Sequence, residues 1–208
     1  MTRVVVATGN EHKLAEIRAI LAGFDVELVS MRAFDLVEPV EDGETFEANA
    51  LLKARACAEA TGLPALADDS GLEVDALDGA PGVRSARYAS DDGPVARTRA
   101  AQDEMNNAKL VAALAGVPPE ERTARFVCAA AIVLPDGREQ VVRGTMEGHV
   151  VAVARGTNGF GYDPLFVSDA AGDGRTNGEL TAEEKDAISH RGAAFRALRP
   201  HVERLLGP

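Results

Sequence analysis

Apolar residues fall in short runs divided by polar breaks, and the runs switch between two periods. Val4-Val5-Val6 is an unbroken apolar run that predicts a buried strand over residues 3–7, closed by Thr8-Gly9-Asn10. Leu14, Ile17 and Leu21 recur at helical spacing, which predicts a helix over 11–22 ended by Gly23. A second strand around Val26 and Leu28 follows, and then a loop over 31–43 with Pro39, Asp42 and Gly43. Residues 44–60 predict a helix with Phe46, Ala50, Leu51 and Ala54 toward the core, stopped by Gly62 and Pro64. A short strand near 65–67 runs into an acidic turn, Asp68-Asp69-Ser70-Gly71, and the alternation of Leu72, Val74 and Ala76 suggests a further strand. Residues 78–93 are turn-rich, and 94–115 read as a helix on Val95, Met105, Ala108, Val111 and Leu114.

Two strands, 123–134 and 139–154, flank Asp136-Gly137, a hairpin signal. A glycine-rich loop spans 156–164, and 168–180 reads as a polar, mobile loop. Thr181 and Glu184 form a capping box at the start of a C-terminal helix, with Ser189 placed to cap a second segment reaching about 206. Helices between strands plus a central hairpin predict an α/β fold with a mixed sheet. The 208 residues fit one domain of two lobes, the hairpin near 123–154 projecting as the second and a cleft serving the ligand.

Charge narrows the function classes. The formal net charge is -11, which disfavours nucleic acid and anionic membrane as partners. It also means that any phosphate substrate needs a local cationic site, a metal, or both. Arginine is the default cation, because only Lys13, Lys53, Lys109 and Lys185 are lysines, and a lysine here marks a place for a compact ammonium. Cys57 and Cys128 sit in alanine-rich apolar runs without a CxxC pattern, so buried reduced thiols are expected. No stretch approaches the ~18 apolar residues of a membrane span and no export signal is evident, so the cytoplasm is the expected location.

Five segments carry candidate chemistry, each with a plainer reading beside it. Thr8-Gly9-Asn10-Glu11-His12-Lys13 lies between strand and helix, where free N–H groups suit a phosphate; alternatively Asn10 is only a cap. Glu41 precedes a helix on which Asn49 and Lys53 share a face, toward a ligand or merely toward solvent. Asp68 and Asp69 are adjacent carboxylates after an apolar run. A hard divalent cation would relieve their repulsion, and in extended backbone the two point to opposite faces, leaving Asp69 toward the ligand and Asp68 to the turn; alternatively both merely cap a turn before Gly71. Gly159-Phe160-Gly161-Tyr162-Asp163 presents aromatic rings between glycines, free to stack on a base or else packed in the core. Lys185, Ser189, His190 and Arg191 offer donors for carbonyl or phosphate oxygens, or form a helix surface.

Taken together, the runs ATGNEHK (7–13), TFEANALLKA (45–54), ADDSGLEVDALDGAPGVRSARYA (67–89), GFGYDP (159–164) and EKDAISHRG (184–192) resemble the inosine triphosphate pyrophosphatase family, the dITP/XTP pyrophosphatases. The resemblance covers residues 4 to about 199. It implies a homodimer, an elongated mixed-sheet α/β fold with two lobes and a central substrate cleft, and Mg²⁺ dependence. It also implies water attack on the α-phosphorus of non-standard purine nucleoside triphosphates, releasing pyrophosphate. Carried over, Thr8, Gly9, Asn10, Glu11, His12 and Lys13 would hold phosphates, with Lys53 adding charge. Asp69 would be proton acceptor and metal carboxylate, assisted by Glu41. Ser70 would touch substrate, and Phe160, Gly161, Tyr162 and Asp163 would line the nucleoside pocket. Lys185, His190 and Arg191 would close the base and phosphate end. Ala48 stands where many relatives carry Glu, and Val40 where a second acid often precedes Glu41. A Maf-type pyrophosphatase and a non-catalytic nucleotide-binding regulator are the rival readings.

Overall fold

The structure, a computed structural model, describes residues 2–91 and 93–207. Asp92, inside the turn-rich 78–93 stretch, and the two terminal residues lie outside the described residues. The first half runs β1 (Thr2–Val6), α1 (Glu11–Ile20), β2 (Val26–Ser30), α2 (Phe46–Thr61), β3 (Ala65–Val74) and α3 (Arg99–Ala113). The second half runs β4 (Thr123–Val133), β5 (Glu139–Val150), β6 (Phe166–Ser168), α4 (Ala182–Ile188) and α5 (His190–Leu206). The sheet order is β2-β1-β3-β4-β5-β6. β1 pairs in parallel with β2 (Val4 opposite Leu28) and with β3 (Val6 opposite Leu66), whereas β5 and β6 are antiparallel. The mixed α/β class expected from the sequence is therefore the one observed.

The chain forms two compact units. The first comprises the N-terminal segment through Asp69, Cys128–Gly144, and the segment from His190 onward. Its core joins Val4 and Val6 of β1, Leu66 of β3, and Cys128, Ala130 and Ile132 of β4. Leu14 and Ile17 of α1 and Phe195, Leu198 and Val202 of α5 complete it. The helical spacing of Leu14 and Ile17 places both on one buried stripe, the ordinary reason a short helix is stable in a protein. Cys57 and Cys128 are buried and unbridged, and burial pushes the Cys57 thiol up to about 11.

The second unit comprises Ser70–Val127 and Thr145–Ser189. Its core contains Leu72, Val74, Leu110, Leu114, Phe126, Met146, Tyr162, Leu165 and Phe166. Phe126 and Phe166 meet edge to face at 4.8 Å. α3 starts at Arg99 behind the Thr98 cap, later than the predicted 94, and Val95 is exposed. Its buried stripe is Gln102, Asn106 and Leu110; of the predicted apolar set, Leu114 joins the core and Val111 packs against it, whereas Val95 and Ala108 are exposed. The amides are tolerated because they are bonded. Gln102 Oε1 accepts from Ser90 Oγ at 2.8 Å and Gln102 Nε2 donates to Asn106 Oδ1 at 3.0 Å. Asn106 Oδ1 also accepts from the Ala89 amide at 2.8 Å.

Two sequence expectations change here. Asp68-Asp69-Ser70-Gly71 is not a turn: β3 runs unbroken through it. Gly71 is required by close packing instead, because a Cβ there would stand 2.4 Å from Ser85 Oγ and 2.5 Å from the Gly82 carbonyl oxygen. The 168–180 segment is not a loose loop either. Thr176 and Asn177 are fully buried, and Thr176 and Glu179 form a capping box over a short 3-10 turn, Asn177–Glu179.

Gly148 supports the β5–β6 pairing in the same way. A Cβ added there would lie 2.0 Å from the Val167 carbonyl oxygen, which is backbone and cannot move aside cheaply. Gly148→Ala is expected to cost about 1–3 kcal/mol, the usual range for overpacking, read as a lower urea midpoint.

Candidate active site

β3 carries two adjacent carboxylates to opposite faces, and each meets its own cations. Asp68 is fully buried, and its Oδ2 accepts from Lys13 Nζ at 3.1 Å and from Arg191 Nη2 and Nε at 3.1 and 3.2 Å. Arg191, itself 1% exposed, also pairs with Glu16 through Nη1. Burial disfavours the charged form of Asp68, but Lys13, Arg191 and Lys53 outweigh it and hold the carboxyl well below the usual range. Burial likewise opposes the charged Arg191, and Asp68 and Glu16 more than restore it. Asp68 was expected to serve a turn; it is the anionic centre of a buried ion cluster instead.

Asp69 faces a different set. Its Oδ1 accepts from Lys53 Nζ at 3.2 Å and its Oδ2 from Asn49 Nδ2 at 3.1 Å. Lys53 Nζ also lies 2.5 Å from Glu41 Oε1, so one buried ammonium joins Asp69 and Glu41. Burial works against the Lys53 charge, yet Asp69 and Glu41 raise its pKa overall. For Asp69 the balance tips the other way: burial raises its pKa against the pull of Lys53 and Lys13. The helical spacing of Asn49 and Lys53 brings both to this carboxylate. Asn49 has a further task, since its Oδ1 accepts from the Gly43 amide at 2.8 Å and ties the Glu41-Asp42-Gly43 segment to α2. A Cβ on Gly43 would meet that oxygen at 2.6 Å. The sequence set Asn49 on one face with Lys53 but gave it no role of its own; its bond to Asp69 supplies one.

The 8–13 segment is internally bonded. Thr8 Oγ1 accepts from the Asn10 amide at 3.1 Å, and Asn10 Oδ1 caps α1 by accepting from the His12 and Lys13 amides. The Gly9 amide donates to Glu38 Oε1 at 2.5 Å, and the Gly9 carbonyl accepts from Arg32. Glu11 pairs with Arg32 at 2.7 Å, and His12 is exposed. His190 is buried at the start of α5, next to Arg191.

The second unit holds the other expected residues around Asp163. Its Oδ2 accepts from Lys185 Nζ at 2.7 Å and from the Phe160 amide at 2.9 Å, while its Oδ1 accepts from Asn177 Nδ2 at 3.2 Å. Lys185 Nζ lies 5.0 Å from the centre of the half-buried Phe160 ring, a cation–π contact. Gly161 is held at both ends of its peptides, its amide donating to Asp103 and its carbonyl accepting from Asn107, each at 3.0 Å. Tyr162 is core: it is buried, and its hydroxyl donates to the Ser85 carbonyl at 2.9 Å. Ser70 is half-buried on β3. Asp103, Asn107 and Asn177 were not expected here, because no local pattern links them to a loop so distant in sequence.

Comparison with known proteins meets this geometry at one family. The Ham1 family profile matches residues 4–201. The chain belongs to the Ham1 family. A protein of Frankia alni named dITP/XTP pyrophosphatase is 57% identical over 207 residues, 98% of each chain. A Streptomyces coelicolor protein of the same name is 53% identical over the whole of both. Among solved structures, a HAM1 protein from Coxiella burnetii is 38% identical with a TM-score of 0.84, covering 98% of this chain and 100% of that one. A Mycobacterium abscessus protein titled nucleoside-triphosphatase / dITP/XTP pyrophosphatase is 44% identical with a TM-score of 0.71, covering 99% of each. Among the described residues, no helix of this Ham1-family chain is long and apolar enough to cross a membrane.

The ion cluster yields a stability prediction. Asp68→Asn leaves Arg191 and Lys13 without their buried counter-ion, which typically costs about 3–5 kcal/mol. Because the folded pKa of Asp68 is depressed, its stabilisation is present above the ordinary carboxylate pKa and is lost only as pH falls through the lower folded value. Urea melts of both proteins against pH are expected to show the full gap at neutrality, narrowing only in strong acid.

Proposed function

We propose that this chain, a nucleoside-triphosphate pyrophosphatase by family, hydrolyses non-standard purine nucleoside triphosphates such as ITP, dITP and XTP. The products are the nucleoside monophosphate and pyrophosphate, and the role is to clear such nucleotides from the cytoplasmic pool. Its relatives' names support the substrate class. The observation that carries the chemistry is the ammonium of Lys53 held between Asp69 and Glu41.

Asp69 takes the proton of the attacking water as the oxygen bonds to the α-phosphorus and the bond to the bridging oxygen breaks. A carboxylate whose pKa is raised by burial is better matched to that task than an exposed one. Lys53 and Asn49 hold its two oxygens and thereby fix its direction. The phosphates fall to the 8–13 segment with Lys53, and for Gly9 that means releasing its amide from Glu38. Phe160 stacks on the purine, and Lys185 and Asp163 address its edge. His190 and Arg191 serve the base and phosphate end, with Arg191 also bonded to Asp68 and Glu16.

The donor set suits Mg²⁺. Asp69 and Glu41 supply hard carboxylate oxygens, and Mg²⁺ needs only one or two of these beside water and substrate phosphates. When bound, Mg²⁺ would neutralise phosphate charge and so improve pyrophosphate as a leaving group. A homodimer is the assembly proposed, which light scattering would test.

Pyrophosphate release from ITP, dITP, XTP, ATP, GTP and UTP, with and without Mg²⁺, tests the reading. Turnover of the first three with Mg²⁺ is expected; equal turnover of UTP and ITP would contradict it. Asp69→Asn is expected to lose at least about 10²-fold in kcat, as for a general base. Retention of more than about a tenth of the activity at saturating Mg²⁺ would remove Asp69 from that role.

A further inference from the structure

Asp163 holds both the Lys185 ammonium and the Phe160 amide through one oxygen, Oδ2. Its other oxygen, Oδ1, accepts from Asn177, which lies outside the glycine-rich loop. Asn177 is delivered by a segment stitched onto that loop. Thr176 Oγ1 donates to the Arg155 carbonyl at 2.7 Å, the Asn158 amide donates to the Gly178 carbonyl at 2.9 Å, and Asn158 Nδ2 donates to the Leu180 carbonyl at 2.9 Å. Gly156 has a positive φ of 77°, and a Cβ on it would stand 2.0 Å from the Gly178 carbonyl oxygen, so the two backbones lie in direct contact.

Asn177 is fully buried, and its side-chain oxygen has no hydrogen-bond partner among the described residues. A buried acceptor left unmet is a standing cost that Ala or Ser would avoid or reduce. Packing alone therefore does not account for an amide at this position, whereas its donor does. Turning the amide over would set its oxygen against the Asp163 carboxylate, so Asp163 also determines which way it faces. Without that donor, Asp163 would be held only on the side of the groups it is meant to orient.

We propose that Asn177 is a positioning residue for purine selectivity: by holding Asp163 Oδ1 it fixes the angle at which Lys185 and Phe160 meet the base. The proposal rests on the functional reading above, in which Lys185, Asp163 and Phe160 form the purine end. The 174–180 segment is then the buckle of the base site. The phosphate end, the 8–13 segment with Lys53, belongs to the first unit, whereas Asn177 and Asp163 belong to the second.

The test uses Asn177→Ala, Asn177→Asp and Asn177→Ser in the full-length protein. Three quantities are measured: the ratio of kcat/KM for ITP over ATP, the inhibition constant of inorganic pyrophosphate, and the melting temperature. The alanine variant is expected to lower the ITP:ATP ratio by about tenfold, the equivalent of about 1.4 kcal/mol. The aspartate variant, equal in size but repelling Asp163, should lower it at least as far. Serine, which keeps a donor, should fall between alanine and wild type. Pyrophosphate inhibition should stay within about twofold, a change well below the tenfold step. An unchanged ITP:ATP ratio in a folded variant overturns the proposal. So does a parallel loss of pyrophosphate binding, which would signify general loosening. If alanine and aspartate do not fold, the serine variant decides on the same two criteria. Wild-type protein without preference for ITP over ATP would instead overturn the functional reading, a result visible before any variant is made.

Discussion

Two carboxylates side by side in the middle of a buried strand repel each other, and neither keeps its charge in an apolar interior unless a cation meets it. The alternation of β3 resolves that conflict. Asp68 turns toward Lys13 and Arg191, and Asp69 toward Lys53 and Asn49. The same strand thus supplies one acid locked deep in an ion cluster and one kept near a lysine it shares with Glu41. Their pKa values move apart in consequence, downward for Asp68 and upward for Asp69. Divergent pKa values in neighbouring acids are a usual mark of divided labour, here between anchoring by Asp68 and the proton transfer proposed for Asp69.

Anchoring on Asp68 also ties distant parts of the first unit together. Lys13 comes from α1, Arg191 from the start of α5, and Glu16 joins Arg191 back to α1. The helices that close the apolar core are therefore also set in register by charge at its edge. Replacing such a cluster with apolar side chains often leaves stability unchanged, so a role in placing Lys13 and Asp69 suits it better than one in holding the fold.

Asp163 plays the corresponding part in the second unit. Three donors from three stretches of chain converge on it: Phe160 from its own loop, Asn177 from the 3-10 turn and Lys185 from α4. Glycines at 156 and 159 admit this arrangement. A Cβ on Gly159 would stand 2.1 Å from Asp163 Oδ2, and both glycines have positive φ. Gly156 and Gly159 are needed because backbone and carboxylate come this close.

Periodicity in the sequence was enough for β1, α1, α2, the β4–β5 hairpin and the Thr181 capping box, because each depends on residues near one another in the chain. The spacing of Asn49 and Lys53 and the alternation at Asp68 and Asp69 also carried their shared or opposite faces in advance. The motif order carried the family. What lay beyond the sequence depends on groups meeting across long separations. Gly71 looks like a turn residue until Ser85 is seen against it, and the 168–180 segment looks loose until Thr176 and Asn177 are found buried. The stripe of α3 looks apolar until its amides find partners in the 82–91 turn. A buried polar group is stable only with its partner in place, and only tertiary structure chooses the partner. The sequence by itself determined which residues could do the chemistry; the fold decided that Asp69 faces Lys53, that Asp68 faces Arg191, and that Asn177 holds Asp163.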